Sequence, residues 1–160
     1  MKNWLLVLLI CLFLIFPVTA VDYKTVNDFF NDFPSLNEKI QANDVIIPNP
    51  VDMLISSGNV LVSIQGNNST KDFYLTVQDK RIINITLGKP EKISYIVSVD
   101  EEISNEIVSI ETEEQLNAVL PYYESGKIKV EAIGPINKMK LFFAKIFMNF
   151  QLISFMSQSS

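Results

Sequence analysis

The spacing of apolar residues divides the chain into a helical beginning, a central block that alternates, and a helical end. In the beginning, four apolar residues recur at helical spacing: Val26, Phe29, Phe30 and Phe33. Pro34 interrupts this pattern, and Ser35 then offers a cap for a second short helix. A third, short apolar helix is predicted within residues 48–58, where two prolines punctuate the chain and Gly58 ends the helix.

From Asn59 the period changes to two, which predicts half-buried strands. Their inward residues are Val60, Val62 and Ile64; Phe73, Leu75 and Val77; Ile83, Ile85 and Leu87; Ile93, Tyr95, Val97 and Val99; and, later in the chain, Ile128, Val130 and Ala132. The connections GNNSTK, QDKR and GKPEK are too short for a parallel crossover, so neighbouring strands are expected to be antiparallel, in a meander with one solvated face. The expected fold class is α+β, a five-stranded antiparallel sheet with helices packed on one face.

Helical signals return after the fourth strand. Asp100 precedes Glu101 and Glu102, which suit the positive end of a helix. Thr112 and Gln115 form a capping box for a further helix, whose apolar stripe is Leu116, Val119 and Leu120. After the fifth strand, Gly134 and Pro135 open the last helix.

The last helix carries more apolar surface than one flat sheet can cover. One stripe contains Met139, Phe142, Phe143, Ile146, Phe150 and Ile153, while Leu141, Met148, Leu152 and Phe155 fall elsewhere on the helix. Leaving about six large side chains uncovered would forfeit roughly 12 kcal/mol, comparable to the stability of a whole domain. The candidates for the second cover are the N-terminal helices, a bound acyl or isoprenoid chain, a bilayer surface and a partner subunit. Ordinary core packing accounts for aromatic stripes as well.

The first twenty residues have the composition of a secretory leader. Lys2 precedes the apolar run from Trp4 to Val18, and the small residues before position 21 predict cleavage after Ala20. The alternative is an uncleaved anchor, because the run is near the lower limit for a membrane span. The expected location is secreted or on the extracytoplasmic face of the membrane.

Residues that carry chemistry are scarce. The chain has no histidine, and its one cysteine, Cys11, lies in the leader, so thiolate nucleophiles, disulfides and the commonest metal ligands are missing from the mature chain. The acidic pairs at 101–102 and 113–114 lack the spacing of a calcium loop and are best explained as solvated helix starts. We therefore expect no enzyme activity, no cofactor and no metal site.

The net charge and its distribution indicate which classes of partner the chain can bind. The net charge of −5 argues against nucleic acid. Eight acidic residues lie between Asp100 and Glu124 without a lysine or arginine, and a lysine-rich stretch follows. This distribution indicates a solvated acidic face beside a basic edge, or a basic side that faces a membrane. Three asparagines begin glycosylation triplets: Asn67, Asn68 and Asn84.

The stretch from Tyr122 to Ile146 resembles the sterol carrier protein family of lipid-binding domains. It has an aromatic pair, the strand SGKIKV, a glycine, and a helix in which Lys and Met precede Leu. YIVSVDEE, from Tyr95 to Glu102, resembles the family's strand that leads into a helix. The resemblance covers roughly residues 59–150.

The resemblance implies an apolar tunnel between sheet and helices for fatty acyl chains, sterols or related lipids. Its implied lining is Val62, Ile64, Leu75, Val97, Leu116, Leu120, Tyr123, Phe142, Phe143, Ile146 and Phe147. The expected division is a leader over 1–20, an N-terminal helical segment over 21–57, a sterol carrier protein-like domain over 58–153 and a flexible tail over 154–160. The expected function is sequestration of a lipid or other apolar small molecule between sheet and C-terminal helix. A non-enzymatic membrane-surface or protein interaction module with no ligand cavity is the alternative.

Overall fold

A computed structural model describes residues 23–47, 52, 54–109, 121–122 and 125–143. Its elements are α1 (Val26–Asn31), α2 (Phe33–Asn43), β1 (Gly58–Gln65), β2 (Thr70–Gln78), β3 (Arg81–Leu87), β4 (Tyr95–Asp100), α3 (Glu101–Val108) and β5 (Lys129–Ala132). Residues 135–143 are also helical and are called the C-terminal helix below. The predicted leader and, except for residues 121–122, the helix predicted from Thr112 lie outside the described residues. In the segment 48–58, where a short helix was predicted, residues 48–51 and 53 also lie outside them, residues 54–57 are not helical, and Gly58 begins β1. No helix in the described ranges is long and apolar enough to span a bilayer.

The five strands form one sheet in the order β3-β2-β1-β4-β5. The α+β class and the five strands are as predicted, and three of the four strand pairs are antiparallel. The fourth pair is not: β1 and β4 run parallel, with Val62 opposite Val97. The prediction of a simple antiparallel meander was therefore wrong at β4.

The connection from β3 to β4 explains this difference. Leu87 lies level with Phe73, which pairs with Val62, which in turn pairs with Val97. The loop of residues 88–94 therefore has to cross three strand spacings, about 14 Å, and moves only a short distance along the strand direction. Seven extended residues span up to about 23 Å, which is sufficient. The length rule for parallel crossovers applies to strands that pair with each other, and β3 and β4 do not.

The inward face of β3 also differs from the prediction. A register shift between β2 and β3 pairs Thr76 with Asn84 but Val77 with Ile82, so Ile83 is an extra residue on β3. As in other β-bulges, the extra residue reverses the alternation. Ile82 and Ile85 are buried, whereas Ile83 and Leu87 are exposed. The predicted inward set of Ile83, Ile85 and Leu87 was right only at Ile85.

Two short helices precede the sheet, as predicted, but the second begins earlier than Ser35. Thr25 caps α1 through a capping box with Asp28. Asp32 is the N-cap of α2, and Pro34 lies in its first turn, where the missing N–H costs no helical hydrogen bond. The proline therefore starts the second helix rather than merely ending the first.

The hydrophobic core lies on the helix-covered face of the sheet. It joins the inward residues of β1, β2 and β4 to residues of α1, α2 and α3, among them Phe29, Leu36 and Ile107. The inward sets predicted for β1, β2 and β4 are buried except Ile93, which precedes β4 and is half-buried. The N-terminal helices therefore share one core with the sheet.

The β3 edge of the sheet is hydrogen-bonded to residues that precede β1. Ile82 N–H donates to the carbonyl of Val45 at 2.9 Å, and Ile85 N–H donates to Asn37 Oδ1 of α2 at 3.1 Å. Ile46 forms an isolated antiparallel bridge with Arg81. The outward backbone groups of this edge strand are thus partly satisfied within the chain.

Candidate functional site

Four predicted lining residues lie on the inward face of the three central strands. Val62 and Ile64 of β1, Leu75 of β2 and Val97 of β4 are each at most 6% exposed. All four belong to the continuous core cluster. The structure brings them together, as the resemblance implies, and they are buried by side chains of the protein itself.

An aromatic cluster covers the β2 end of this face. The ring of Phe73 lies 5.4 Å from that of Phe29, 5.8 Å from Phe30 and 5.4 Å from Phe33, in edge-to-face arrangements. Tyr23 extends the cluster with an edge contact to Phe29. Such geometry is favourable beyond the area buried. The N-terminal helices therefore occupy this part of the sheet face.

The turn before β5 is held to α3 by Tyr122, the first residue of the family-like stretch. Its hydroxyl forms a hydrogen bond with Glu106, and this bond raises the pKa of Tyr122. Its carbonyl accepts from the N–H groups of Lys127 and Ile128 at 2.9 and 3.1 Å. The Lys127 ammonium lies 5.7 Å from the centroid of its ring, a cation–π contact. These contacts fix the chain that leads into β5.

The C-terminal helix is anchored at its start to the loop before β4. Ile133 N–H donates to the carbonyl of Ser94 at 2.8 Å, and Asn137 Nδ2 reaches the same carbonyl at 3.4 Å. Gly134 has a φ of 85°, a left-handed conformation that glycine adopts without the Cβ clash of other residues. The direction of the helix is therefore set by β5 and β4 together.

The C-terminal helix turns an unexpected side to the protein. Leu141 is buried in the core, whereas Phe142 and Phe143 are 60% and 58% exposed, with their rings 5.9 Å apart. Ile136 and Met139 are 65% and 54% exposed. We call these four exposed residues the outer apolar face. The apolar spacing predicted a main stripe with Met139, Phe142 and Phe143 and put Leu141 on another side, whereas within residues 135–143 Leu141 is the buried residue and the other three are exposed.

The other predicted lining residues lie outside the described ranges: Leu116, Leu120, Tyr123, Ile146 and Phe147. A lipid-binding role for the complete set stays a prediction. The structure shows where the described members of this set lie: the four sheet residues are buried, whereas Phe142 and Phe143 are exposed.

The three glycosylation triplets differ in accessibility. Asn67 and Asn68 are exposed in the turn between β1 and β2. Asn84 is half-buried in β3, and its Nδ2 donates to Thr86 Oγ1 at 3.0 Å. The turn asparagines are therefore the accessible acceptors.

Comparison with known proteins gives structural neighbours only. No family model matches the sequence, and no curated protein matches it. The chain is similar to the solution structure of palmitated SCP2L2 from Aedes aegypti, with a TM-score of 0.45 and 14% identity over 68% of this chain and 83% of that one. The crystal structure of Sterol Carrier Protein 2 Like 2 from Aedes aegypti has a TM-score of 0.41, with 13% identity over 70% of this chain and 93% of that one. A third neighbour, UbiJ-SCP2 Ubiquinone synthesis protein, has a TM-score of 0.36, with 14% identity over 69% and 92%.

The chain is similar in structure to sterol carrier protein-like proteins. This is the family that residues 122–146 resemble in sequence. In this chain, the sheet and helices bury the central inward face, and the C-terminal helix carries the outer apolar face. The arrangement offers apolar contact surface on that helix.

Proposed function

We propose that this chain is a lipid-binding domain, secreted or held on the extracytoplasmic face of a membrane, that sequesters an apolar chain between its sheet and its C-terminal helix and catalyses nothing. The observation that carries the proposal is the C-terminal helix. Leu141 docks this helix on the same core cluster that contains the inward sheet residues Val62 and Val97, so apolar side chains of the helix and of the sheet face each other.

The energetics support an apolar ligand. An acyl chain that enters between the apolar sheet face and the helix gains about 0.8 kcal/mol for each methylene that it buries. The sequence resemblance between Tyr122 and Ile146 points to the same class of ligand. The leader predicted over residues 1–20 supports the location.

Lipid content and uptake test this function. Mass spectrometry of an organic extract of the purified chain is expected to detect a co-purified lipid, and the delipidated chain is expected to bind a fluorescent fatty acid at micromolar concentration. Leu141→Ala, which removes the side chain that docks the helix on the core, should bind it about tenfold more weakly or worse, a loss of about 1.4 kcal/mol. Met139→Ala is the matched control on the same helix, because Met139 is more than half exposed and lies on the side away from the core. An empty chain that also takes up no fatty acid would contradict the proposal.

A second candidate function is a non-enzymatic interaction module without a ligand cavity. The burial of Val62, Ile64, Leu75 and Val97 by neighbouring protein side chains favours it. Under this alternative the delipidated chain takes up no fatty acid in solution, and the outer apolar face still contributes to binding of a surface.

A further inference from the structure

The outer apolar face has the geometry of a helix that lies in a membrane interface. At about 100° per residue, its four side chains occupy an arc of about 120° on the side of the helix opposite Leu141. Lys138 follows about 40° beyond one border of the arc, and Lys140 about 40° beyond the other. In a helix that packs its apolar side against the core, these four side chains would be buried and the opposite side of the helix would be exposed.

The charged residues around this face are mostly lysines. Residues 126–143 contain four lysines and a single acidic residue, Glu131, although the whole chain has a net charge of −5. The ion pairs among the described residues involve Lys71, Lys80, Arg81 and Lys89, and none involves Lys138 or Lys140. A positive border around an apolar centre is complementary to a surface that is negative at its headgroups and apolar beneath them.

We propose that the outer apolar face docks this domain onto an anionic phospholipid bilayer. Ile136, Met139, Phe142 and Phe143 enter the boundary between headgroups and acyl chains, and Lys138 and Lys140 contact the phosphates. This inference does not require a carried lipid, since it rests on exposed side chains and on charge. Fatty acid uptake in solution and docking on vesicles can therefore fail independently.

A polarity-sensitive fluorophore on the face tests the docking in the full chain. Cys11→Ser removes the single cysteine, and Met139→Cys then carries the label. A second labelled chain carries Glu38→Cys, an exposed position on α2. With vesicles of phosphatidylcholine and about 30% phosphatidylglycerol, the label at 139 should shift to the blue and the label at 38 should not. The two labels separate docking of this face from simple tethering through the apolar N-terminal run.

Matched substitutions identify the groups responsible. Phe142→Ser with Phe143→Ser should abolish the shift at 139, whereas Leu87→Ser, an exposed apolar residue at the opposite edge of the sheet, should leave it unchanged. Lys138→Glu and Lys140→Glu should each weaken vesicle affinity about fivefold or more, because a basic residue near an anionic surface is worth about 1 kcal/mol. Lys39→Glu on α2 is the charge control.

Several results would overturn the proposal. They are the absence of a shift at 139 with anionic vesicles, an equal shift with phosphatidylcholine alone, and a shift that survives the double phenylalanine substitution. A concentration-dependent shift without vesicles, accompanied by a dimer in sedimentation, would assign the face to a second copy of the chain instead. Circular dichroism spectra of all variants should match that of the wild type, because each substituted side chain within the described ranges is exposed or half-exposed.

Discussion

The buried hydroxyl of Tyr95 provides a quantitative test of the core. Tyr95 is fully buried on β4, and its hydroxyl donates a hydrogen bond of 2.9 Å to the carbonyl of Leu54, in the segment that leads into β1. Tyr95→Phe keeps the ring and removes the donor, which leaves that buried carbonyl without this partner. The expected loss in unfolding free energy at pH 7 is about 1–3 kcal/mol.

The same burial predicts a pH dependence. Desolvation raises the pKa of Tyr95 to about 12, whereas a tyrosine in the unfolded chain titrates near pH 10. Because the folded state keeps the proton to higher pH, the stability that the neutral hydroxyl provides is complete below pH 10 and is lost as the pH rises towards 12. At about 1.4 kcal/mol per pKa unit, the wild type loses roughly 2–3 kcal/mol over this interval, and Tyr95→Phe does not.

Urea unfolding followed by circular dichroism at several pH values from 7 to about 11.5 measures both effects. The advantage of the wild type over Tyr95→Phe should be constant up to pH 9 and then shrink towards zero. Tyr74→Phe is the control, since Tyr74 is half-buried and its hydroxyl forms no hydrogen bond with the described residues. A Tyr95→Phe variant as stable as the wild type at pH 7, or a difference that does not change above pH 10, would refute the reasoning.

Three further substitutions test other parts of the fold. Phe29→Ala should lower the unfolding free energy by about 3–5 kcal/mol in urea titrations, because the ring is at the centre of the aromatic cluster; a loss below about 1 kcal/mol would contradict that placement. Asp79→Ala should lower the thermal midpoint by a few degrees, a loss of about 1 kcal/mol, because Asp79 has a φ of 49° in a two-residue hairpin and aspartate tolerates this left-handed conformation better than alanine; an unchanged midpoint would refute this. Lys71→Met should lower the unfolding free energy by about 1 kcal/mol, because it removes the ion pair with Glu101 and the hydrogen bond to Asn27. High salt should reduce this difference between the variant and the wild type. A difference that does not change with salt would argue against the ion pair.

The sequence pattern predicted which residues form strands better than it predicted how the strands pair. Alternation identified β1, β2 and β4 with their inward residues, because each side of a strand meets a different environment. It carries no information on which strand lies beside which, so the parallel pairing of β4 with β1 was missed. The bulge at Ile83 was missed for a related reason: one extra residue changes the face of its neighbours without changing the composition of the segment.

The candidate site was predicted in part. The inward positions of Val62 and Val97 follow from strand period and resemblance, and the structure places them together. The direction of the C-terminal helix could not be deduced, because apolar residues lie on several of its sides. Leu141 faces the core because the bonds of Ile133 and Asn137 to Ser94 set the orientation of the helix. The lysines on both borders of the outer apolar face were a signal available in the sequence.

The hydrogen bonds along β3 determine at which edge this sheet could pair with a strand from another molecule. An unpaired sheet edge is a template for aggregation. On β3, the contacts with Asn37, Val45 and Ile46 interrupt this edge. Among the described residues, β5 carries no comparable cover, and its alternate positions are the charged Lys129 and Glu131. Charged side chains at a sheet edge discourage pairing with another strand, so the β3 edge is protected by the chain's own backbone and side-chain contacts and the β5 edge by charged side chains.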